Sequence, residues 1–539
     1  MRIPIGISDF KELIKDVSST GEHYFYCDKS MLIQDIIDEG PKILLFTRPR
    51  RFGKTLNMSM LSYFFGSKEP LFDGLQIAEN RHIMDKYHGQ YPVISLSFKG
   101  LKQNNYQDMF IAFTRIIREI FSPYRDLFQD PGDDAYFNKT KTFTLDMLCS
   151  ALSVLSKKLH SYYGQPAIIL IDEYDAPIQT GYMNGYYEDI AALLRNLFED
   201  GLKDNSSVYR GVLTGITRVA KANLFSGLNH FWMYDIDSEK YSQYFGFTEN
   251  EVKAMIPEHY QDAKNWYNGY TFGETTIYNP WSILNFMYNN FHYKAYWIDT
   301  AENSLIQKSL TVDKMEAVEK LMSGGTVALK IDNNLVLKYL KEDRYAFFNL
   351  LYTSGYLTSA GEGPGPYEKL VRIPNKEVLE FFETTVLKWF GQGKGTAFLE
   401  DFFVAFLAGD ADKVQIYLST IILESFSFHD VDVLKQESFY HGFLLGLTLG
   451  LKGRYTVNSN RESGYGRYDI ALYPNDPDKD PGIIIEVKIN KESAHGAILQ
   501  IQDKAYATEL KRHGCKTVFL YGLHFDGKTV STQLVVNSQ

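Results

Sequence analysis

Short continuous apolar runs separated by helical stretches make up the first part of the chain. KILLFT at 42–47 runs into a glycine-containing turn, and a helical stretch follows from Lys54 to about Phe65. PVISLSF at 92–98 is a second run, AIILI at 167–171 leads into Asp172, Glu173 and Asp175, and VYRGVLT at 208–214 ends at Gly215. Strands without polar alternation, separated by helices, predict a parallel sheet covered on both faces. From about 236 to 400 the pattern predicts mostly helix and few strands, with a hairpin formed by 356–360 and 367–373. The loop between them, Gly361-Glu-Gly-Pro-Gly-Pro366, joins strand to strand. It therefore reads as a turn and not as a nucleotide fingerprint, which needs a strand before it and a helix after it. The last section predicts helices from 398 to about 451, and then strands at 468–473 and 482–488 joined by the polar turn PNDPDKDP. A helix over 494–513 and a strand at 517–521 complete it. No repeat at a solenoid period is present.

At 539 residues the chain is too long for one core, and two to four domains are expected. The pattern divides it at 1–235, 236–400 and 401–539. Hydrophobic residues are 45% and charged residues 23%, as in ordinary globular chains. The net charge of −10 argues against a surface coated in nucleic-acid-binding charge, while leaving room for a local basic channel. Cys27, Cys149 and Cys515 lie far apart with no C-x-x-C pair, so neither a disulfide framework nor a zinc site is expected. The N-terminal MRIPIGISDFKELI lacks a signal-peptide pattern, and no window approaches 18 uninterrupted apolar residues. A cytoplasmic protein with no membrane partner is the expectation.

Gly53-Lys54-Thr55 stands between a strand and a helix, where a phosphate-binding loop belongs. Backbone N–H groups of Arg51, Phe52 and Gly53 would cradle phosphates, Lys54 would reach the β- and γ-phosphates of ATP, and the Thr55 hydroxyl would hold Mg²⁺. The first glycine of G-x-x-x-x-G-K-[ST] is Arg48 here, in the loop RPRRFGKT. A G-K-[ST] tripeptide alone arises in on the order of a few tenths of chains this long, so the partner motif decides. Asp172 and Glu173 close a buried strand, the first placed to organise Mg²⁺ and the second to polarise the attacking water. Thr214 ends the next strand at a γ-phosphate-sensing position. Arg218 follows one helical turn on as a charge stabiliser.

Near the other end, Glu486-Val487-Lys488 closes an apolar strand, so Glu486 and Lys488 share a face. Asp469 lies on the strand before, where a hairpin brings it beside Glu486. Two converging carboxylates bind Mg²⁺ (Mn²⁺ as an alternative) through hard oxygens, and Lys488 would orient water or neutralise phosphate. E-x-K alone is expected about once or twice per chain. Glu251-Val252-Lys253 is an internal control: it follows a helix-start signal and reads as a solvated helical charge pair.

The chain resembles bacterial AAA-ATPase-like proteins that carry a C-terminal PD-(D/E)XK nuclease domain. The likeness lies in YCDKS at 26–30, RPRRFGKT at 48–55, LIDEYD at 170–175, TGITR at 214–218, FSGLN at 225–229, WYNGY at 266–270 and YNPWS at 278–282. It continues through RYDI at 467–470, IIEVK at 484–488 and QI at 500–501. The resemblance implies an α/β protein: a P-loop NTPase (AAA-like) parallel-sheet core with a helical lid, followed by a restriction-endonuclease-like α/β domain. It adds Glu437 as an extra acidic metal position, and Gln500 and Tyr506 as polar residues on the helix after the catalytic strand. His441 reads as a packed or hydrogen-bonded histidine. The function expected is ATP binding and hydrolysis gating a metal-dependent nuclease, with nucleic acid as partner, DNA ahead of RNA, and a homo-oligomer as a further expectation. The rival is a non-catalytic, ATP-dependent switch or scaffold, and a third option is ATP-driven remodelling of protein partners.

Overall fold

The computed structural model describes residues 2–217, 224–225, 230–297, 304–311, 314–331, 340, 343–390, 395–425, 437–451, 453–459, 462–463, 466–467, 469–490, 492–527 and 529–538. The chain forms two compact units, Met1–Leu305 with Ala328–Val378, and Ile306–Val327 with Leu379–Gln539.

The first unit is built on β1 (Ile43–Thr47), β2 (Val93–Ser97), β3 (Ala167–Asp172), β4 (Val208–Gly215) and β5 (Phe231–Tyr234), all parallel, in the order β2-β3-β4-β1-β5. Every residue of β1 and β3 is buried, which is why these runs show no polar alternation. The parallel arrangement places the C-terminal ends of β1, β3 and β4 side by side. Those ends carry the phosphate-loop, acidic and threonine motifs.

Beyond β5 the unit holds more strand than the sequence pattern suggested. β6 (Phe247–Thr248), β7 (Tyr270–Phe272) and β8 (Thr275–Tyr278) form an antiparallel sheet in the order β6-β8-β7. β9 (Val327–Lys330), β10 (Thr358–Glu362) and β11 (Glu368–Arg372) form another, in the order β10-β11-β9. Strands this short do not display a period of two, and their buried aromatics (Tyr270, Phe272 and Tyr278) serve a helix face equally well. The glycine-rich loop joins β10 to β11 as expected, closed by Gly363 N–H donating to the Glu368 carbonyl at 2.8 Å.

The second unit contains β12 (Tyr455–Ser459), β13 (Glu462–Ser463), β14 (Gly466–Arg467), β15 (Ile470–Pro474), β16 (Gly482–Ile489), β17 (Thr517–Asp526) and β18 (Thr529–Ser538). Its main sheet runs β12-β15-β16-β17-β18, with β16 and β17 parallel and the other pairs antiparallel. β18 was not foreseen. It is an edge strand of mixed exposure, so its pattern is not periodic. The helix expected over 494–513 is two, Ala494–Asp503 and Ala507–Arg512, separated where Ala505 takes φ 53° and Tyr506 turns into the core. Ala471, Tyr473, Ile484, Val518 and Leu520 of the sheet pack with Ile498, Ile501, Tyr506 and Leu510. Burying each large apolar side chain contributes about 1.5–3 kcal/mol. Among the described residues, no helix is long and apolar enough to cross a membrane.

Candidate functional site

β1 ends at Thr47, and the chain turns into the helix Lys54–Gly66 through Gly53, whose φ of 82° is left-handed and suits glycine. Lys54 is buried, and its Nζ donates to the carbonyls of Arg48 and Pro49 at 2.8 Å each. Burial lowers its pKa, opposed by the carboxylates of Glu173, Asp172 and Asp175. Ile171 of β3 pairs with Leu213 of β4, so Asp172 and Thr214 stand in adjacent strands at the next register. Thr55 Oγ1 donates to Asp172 Oδ2 at 2.7 Å, and Thr214 Oγ1 to Oδ1 at 2.5 Å. Asp172 thereby ties the P-loop helix to β4 at a cluster of hard oxygens, a donor set that suits Mg²⁺. Glu173 leaves the strand at φ 53°. A cleft of about 580 Å³ is lined by Gly53, Lys54, Thr55 and Glu173, by the cations Arg50, Arg51, Lys99 and Lys102, and by Tyr26, Cys27 and Trp281. That volume falls within the usual range for small-ligand sites.

The arginine in place of the usual first glycine is structural. Arg48 is fully buried, donates through Nη1 to the carbonyls of Thr47 and Tyr234 at 3.0 Å, and lies over Phe245 and Phe272. Burial lowers its pKa to about 10, against the pull of Asp235 and Asp237. Phe52 is also fully buried, its ring against Tyr270 and Phe272, so its side chain is committed to the fold. Arg51 lies over the Trp281 ring, 4.1 Å from its centroid. Asp175 was not assigned a role from sequence. Its Oδ2 accepts from Ile216 N–H, Thr217 N–H and Thr217 Oγ1 at 3.1, 2.9 and 3.0 Å, pinning the turn after β4. Its partners lie 41 and 42 residues away, so no local pattern reveals them. Arg218 lies outside the described residues.

The control tripeptide sits in the helix Glu249–Met255 as expected, but it is not a solvated pair. Glu251 forms a capping box with Thr248 and accepts from Lys29 Nζ at 2.6 and 2.8 Å, while Lys253 pairs with Glu249 at 3.6 Å. Lys29 is itself buried, and that deep cation claims the carboxylate.

In the second unit, Ile470 pairs with Ile485, so Asp469, just ahead of β15, stands next to Glu486. Asp469 Oδ2 accepts from Val487 N–H at 2.7 Å. Glu486 is 2% exposed; Gln500 Nε2 donates to its Oε1, and Lys488 Nζ lies 3.5 Å from the same oxygen. Its other oxygen, Oε2, is buried and has no hydrogen-bond partner among the described residues. Burial, and then the Asp469 charge, push the Glu486 pKa up to about 8, and burial raises Asp469 as well. Tyr506 is buried with Gln500 as a side-chain partner. His441 Nε2 lies 2.9 Å from the Asp469 carbonyl, the hydrogen-bonded role expected of it. Glu437 begins the helix Glu437–Thr448, and its side chain lies outside the described residues. Among the described residues no third His, Cys, Asp or Glu joins the pair.

Gln500 reaches Glu486 because of a residue the sequence reading passed over. Gly522 of β17 is the register partner of Glu486. A Cβ there would collide with the Ala494 carbonyl oxygen and stand 2.9 Å from Ile498 Cγ1. Glycine lets the helix Ala494–Asp503 settle onto the sheet at the acidic pair.

The two sites define a P-loop ATPase-like unit joined to a nuclease-like unit. Residues 4–225 match the family described as predicted AAA-ATPase, and residues 435–533 match the PD-(D/E)XK nuclease superfamily. The chain thus has the architecture of an AAA-ATPase-like protein with a C-terminal PD-(D/E)XK nuclease-superfamily domain. A protein of Azotobacter chroococcum mcd 1, described as an uncharacterized protein in the vnfD 5′ region, is 26% identical over 556 residues, spanning 97% of this chain and 96% of that one. Among solved structures, the Aeropyrum pernix ORC2 protein in its ADPNP–ADP complexes aligns with 66% of this chain and 93% of its own at 10% identity and a TM-score of 0.24. Drosophila ORC bound to AT-rich DNA and Cdc6 aligns with 66% and 91% at 12% identity and a TM-score of 0.19.

Proposed function

We propose that this protein binds and hydrolyses Mg²⁺–ATP in its first unit and cleaves nucleic acid, DNA in preference to RNA, in its second, with nucleotide state regulating cleavage. The observation that carries the nuclease reading is Glu486. A buried carboxylate with one oxygen unpartnered is costly to keep, and a divalent cation shared with Asp469 satisfies that oxygen and cancels the repulsion. Both carboxylates are hard donors, so the residues fit Mg²⁺ or Mn²⁺. A bound cation supplies Lewis acidity and an activated water. Asp469 and Glu486 would hold it, Lys488 would orient the water or steady the phosphate charge, and Gln500 would fix the Glu486 rotamer.

In the first unit, Lys54 would meet the β- and γ-phosphates, Thr55 and Asp172 would hold Mg²⁺, Glu173 would polarise the attacking water, and Thr214 would read the γ-phosphate through Asp172. A scaffold that only grips its partner does not need the Asp469–Glu486–Lys488 set. The test is a cleavage assay on DNA and RNA with Mg²⁺ or Mn²⁺, with and without ATP. Glu486→Ala and Lys488→Ala are expected to abolish cleavage, Lys253→Ala to cleave like the parent, and Lys54→Ala to lose ATP binding in calorimetry. Metal-dependent cleavage that survives Glu486→Ala removes this site and puts the scaffold reading first.

A further inference from the structure

Three consecutive residues of the phosphate loop are held from beyond the core sheet. The Arg50 carbonyl accepts from Trp297 Nε1 at 3.3 Å, Arg51 lies over Trp281, and Phe52 packs on Tyr270 and Phe272. Two of these holds converge on one buried side chain. Trp297 donates its backbone N–H to Glu377 Oε1 at 2.7 Å, and Ser282, which follows Trp281 at the start of the helix Pro280–Tyr288, donates Oγ to Glu377 Oε2 at 2.7 Å. Glu377 is 0% exposed. It sits in the first turn of the helix Lys376–Phe390, which starts in the first unit and continues into the second.

We infer that Glu377 is a positioning residue: it sets the phosphate loop through Trp297 and Ser282, and carries the loop's nucleotide state into the helix that leads to the nuclease unit. The inference rests on the proposed nucleotide control of cleavage and names its route. The loop has a contact that nucleotide would alter, since the Lys54 ammonium spends two of its three N–H donors on the Arg48 and Pro49 carbonyls and a phosphate would compete for them. Moving those carbonyls shifts Arg50 and Arg51, the two residues that the route grips. A buried carboxylate held by two short hydrogen bonds transmits such a shift because neither partner has a solvent alternative.

The test uses the full chain and two variants, Trp297→Phe, which keeps a ring and the main-chain N–H but loses the indole donor, and Glu377→Gln, which keeps the shape and loses the charge. ATP affinity is expected to fall roughly threefold to tenfold, the range for one hydrogen bond. At saturating ATP, and at a temperature where the variants stay folded, the ratio of cleavage with nucleotide to cleavage without it is expected to approach one, while nucleotide-free cleavage stays at the parent's value and Tm falls modestly from the lost buried contacts. A merely structural role lowers Tm in the same way but leaves the ratio alone, so the ratio decides. A parent-like ratio in both variants at saturating ATP overturns the inference. Cleavage by the parent that ignores nucleotide ends the control reading itself, and this is visible before any variant is made.

Discussion

The proposed metal site would respond to pH through Glu486. Its carboxyl holds a proton up to about pH 8, whereas the unfolded chain releases it near the ordinary 4.5. Between those values the metal-free folded state binds the extra proton, so its stability falls as pH rises through that window. Cation binding needs the ionised pair, so Mg²⁺ affinity rises with pH in the same window, by roughly tenfold per unit where one proton is released. Glu486→Gln is neutral throughout. In chelator at pH 8 it is expected to melt above the parent, and to show no Mg²⁺-induced rise in Tm at any pH. Melting curves from pH 6 to 9 with and without Mg²⁺ check both signs, and Mg²⁺ stabilisation that does not vary with pH contradicts the assignment. The residue proposed to hold the metal is thus one the metal-free fold would be more stable without.

The helix Ala494–Asp503 is seated by Gly522, and here element packing decides side-chain placement. Gly522→Ala lifts the helix from β17 and is expected to cost about 1–3 kcal/mol in urea unfolding, with a parallel loss of Mg²⁺ affinity as Gln500 retreats from Glu486. Full Mg²⁺ affinity in that variant means that Gln500 is not needed. Such contacts divide what was legible in the sequence from what was not. β1 and β3 were readable because burial on both faces leaves an unbroken apolar run, and the charged residues closing them then stand out. Asp469 and Glu486 were readable because antiparallel pairing across one turn fixes which residues meet. Gly522, Asp175 and the Lys29–Glu251 pair were not, since each acts on a partner distant in sequence, through packing that no local period encodes. β6, β7 and β8 escaped for another reason: their few residues each are fewer than a pattern needs.

At the scale of the whole molecule, neither unit is a continuous stretch of chain: residues 306–327 belong with the nuclease part and 328–378 with the ATPase part. The helix Met315–Met322, with Ala317, Val318 and Leu321 buried, packs on the helix Glu437–Thr448. A fragment of 379–539 therefore bares the apolar face of the latter helix. It is expected to aggregate or melt without a cooperative transition in circular dichroism, and to recover when a peptide of 306–327 is added. Cooperative melting of the bare fragment contradicts this. The same interleaving has a meaning during synthesis. As the chain leaves the ribosome, the segment 306–327 emerges long before the helix Glu437–Thr448 on which it packs, and the P-loop unit is complete before the rest of the nuclease-like unit is made. A chain that stops early carries the P-loop unit alone, so under the proposed function an incomplete product would never present the cleavage site without its nucleotide control.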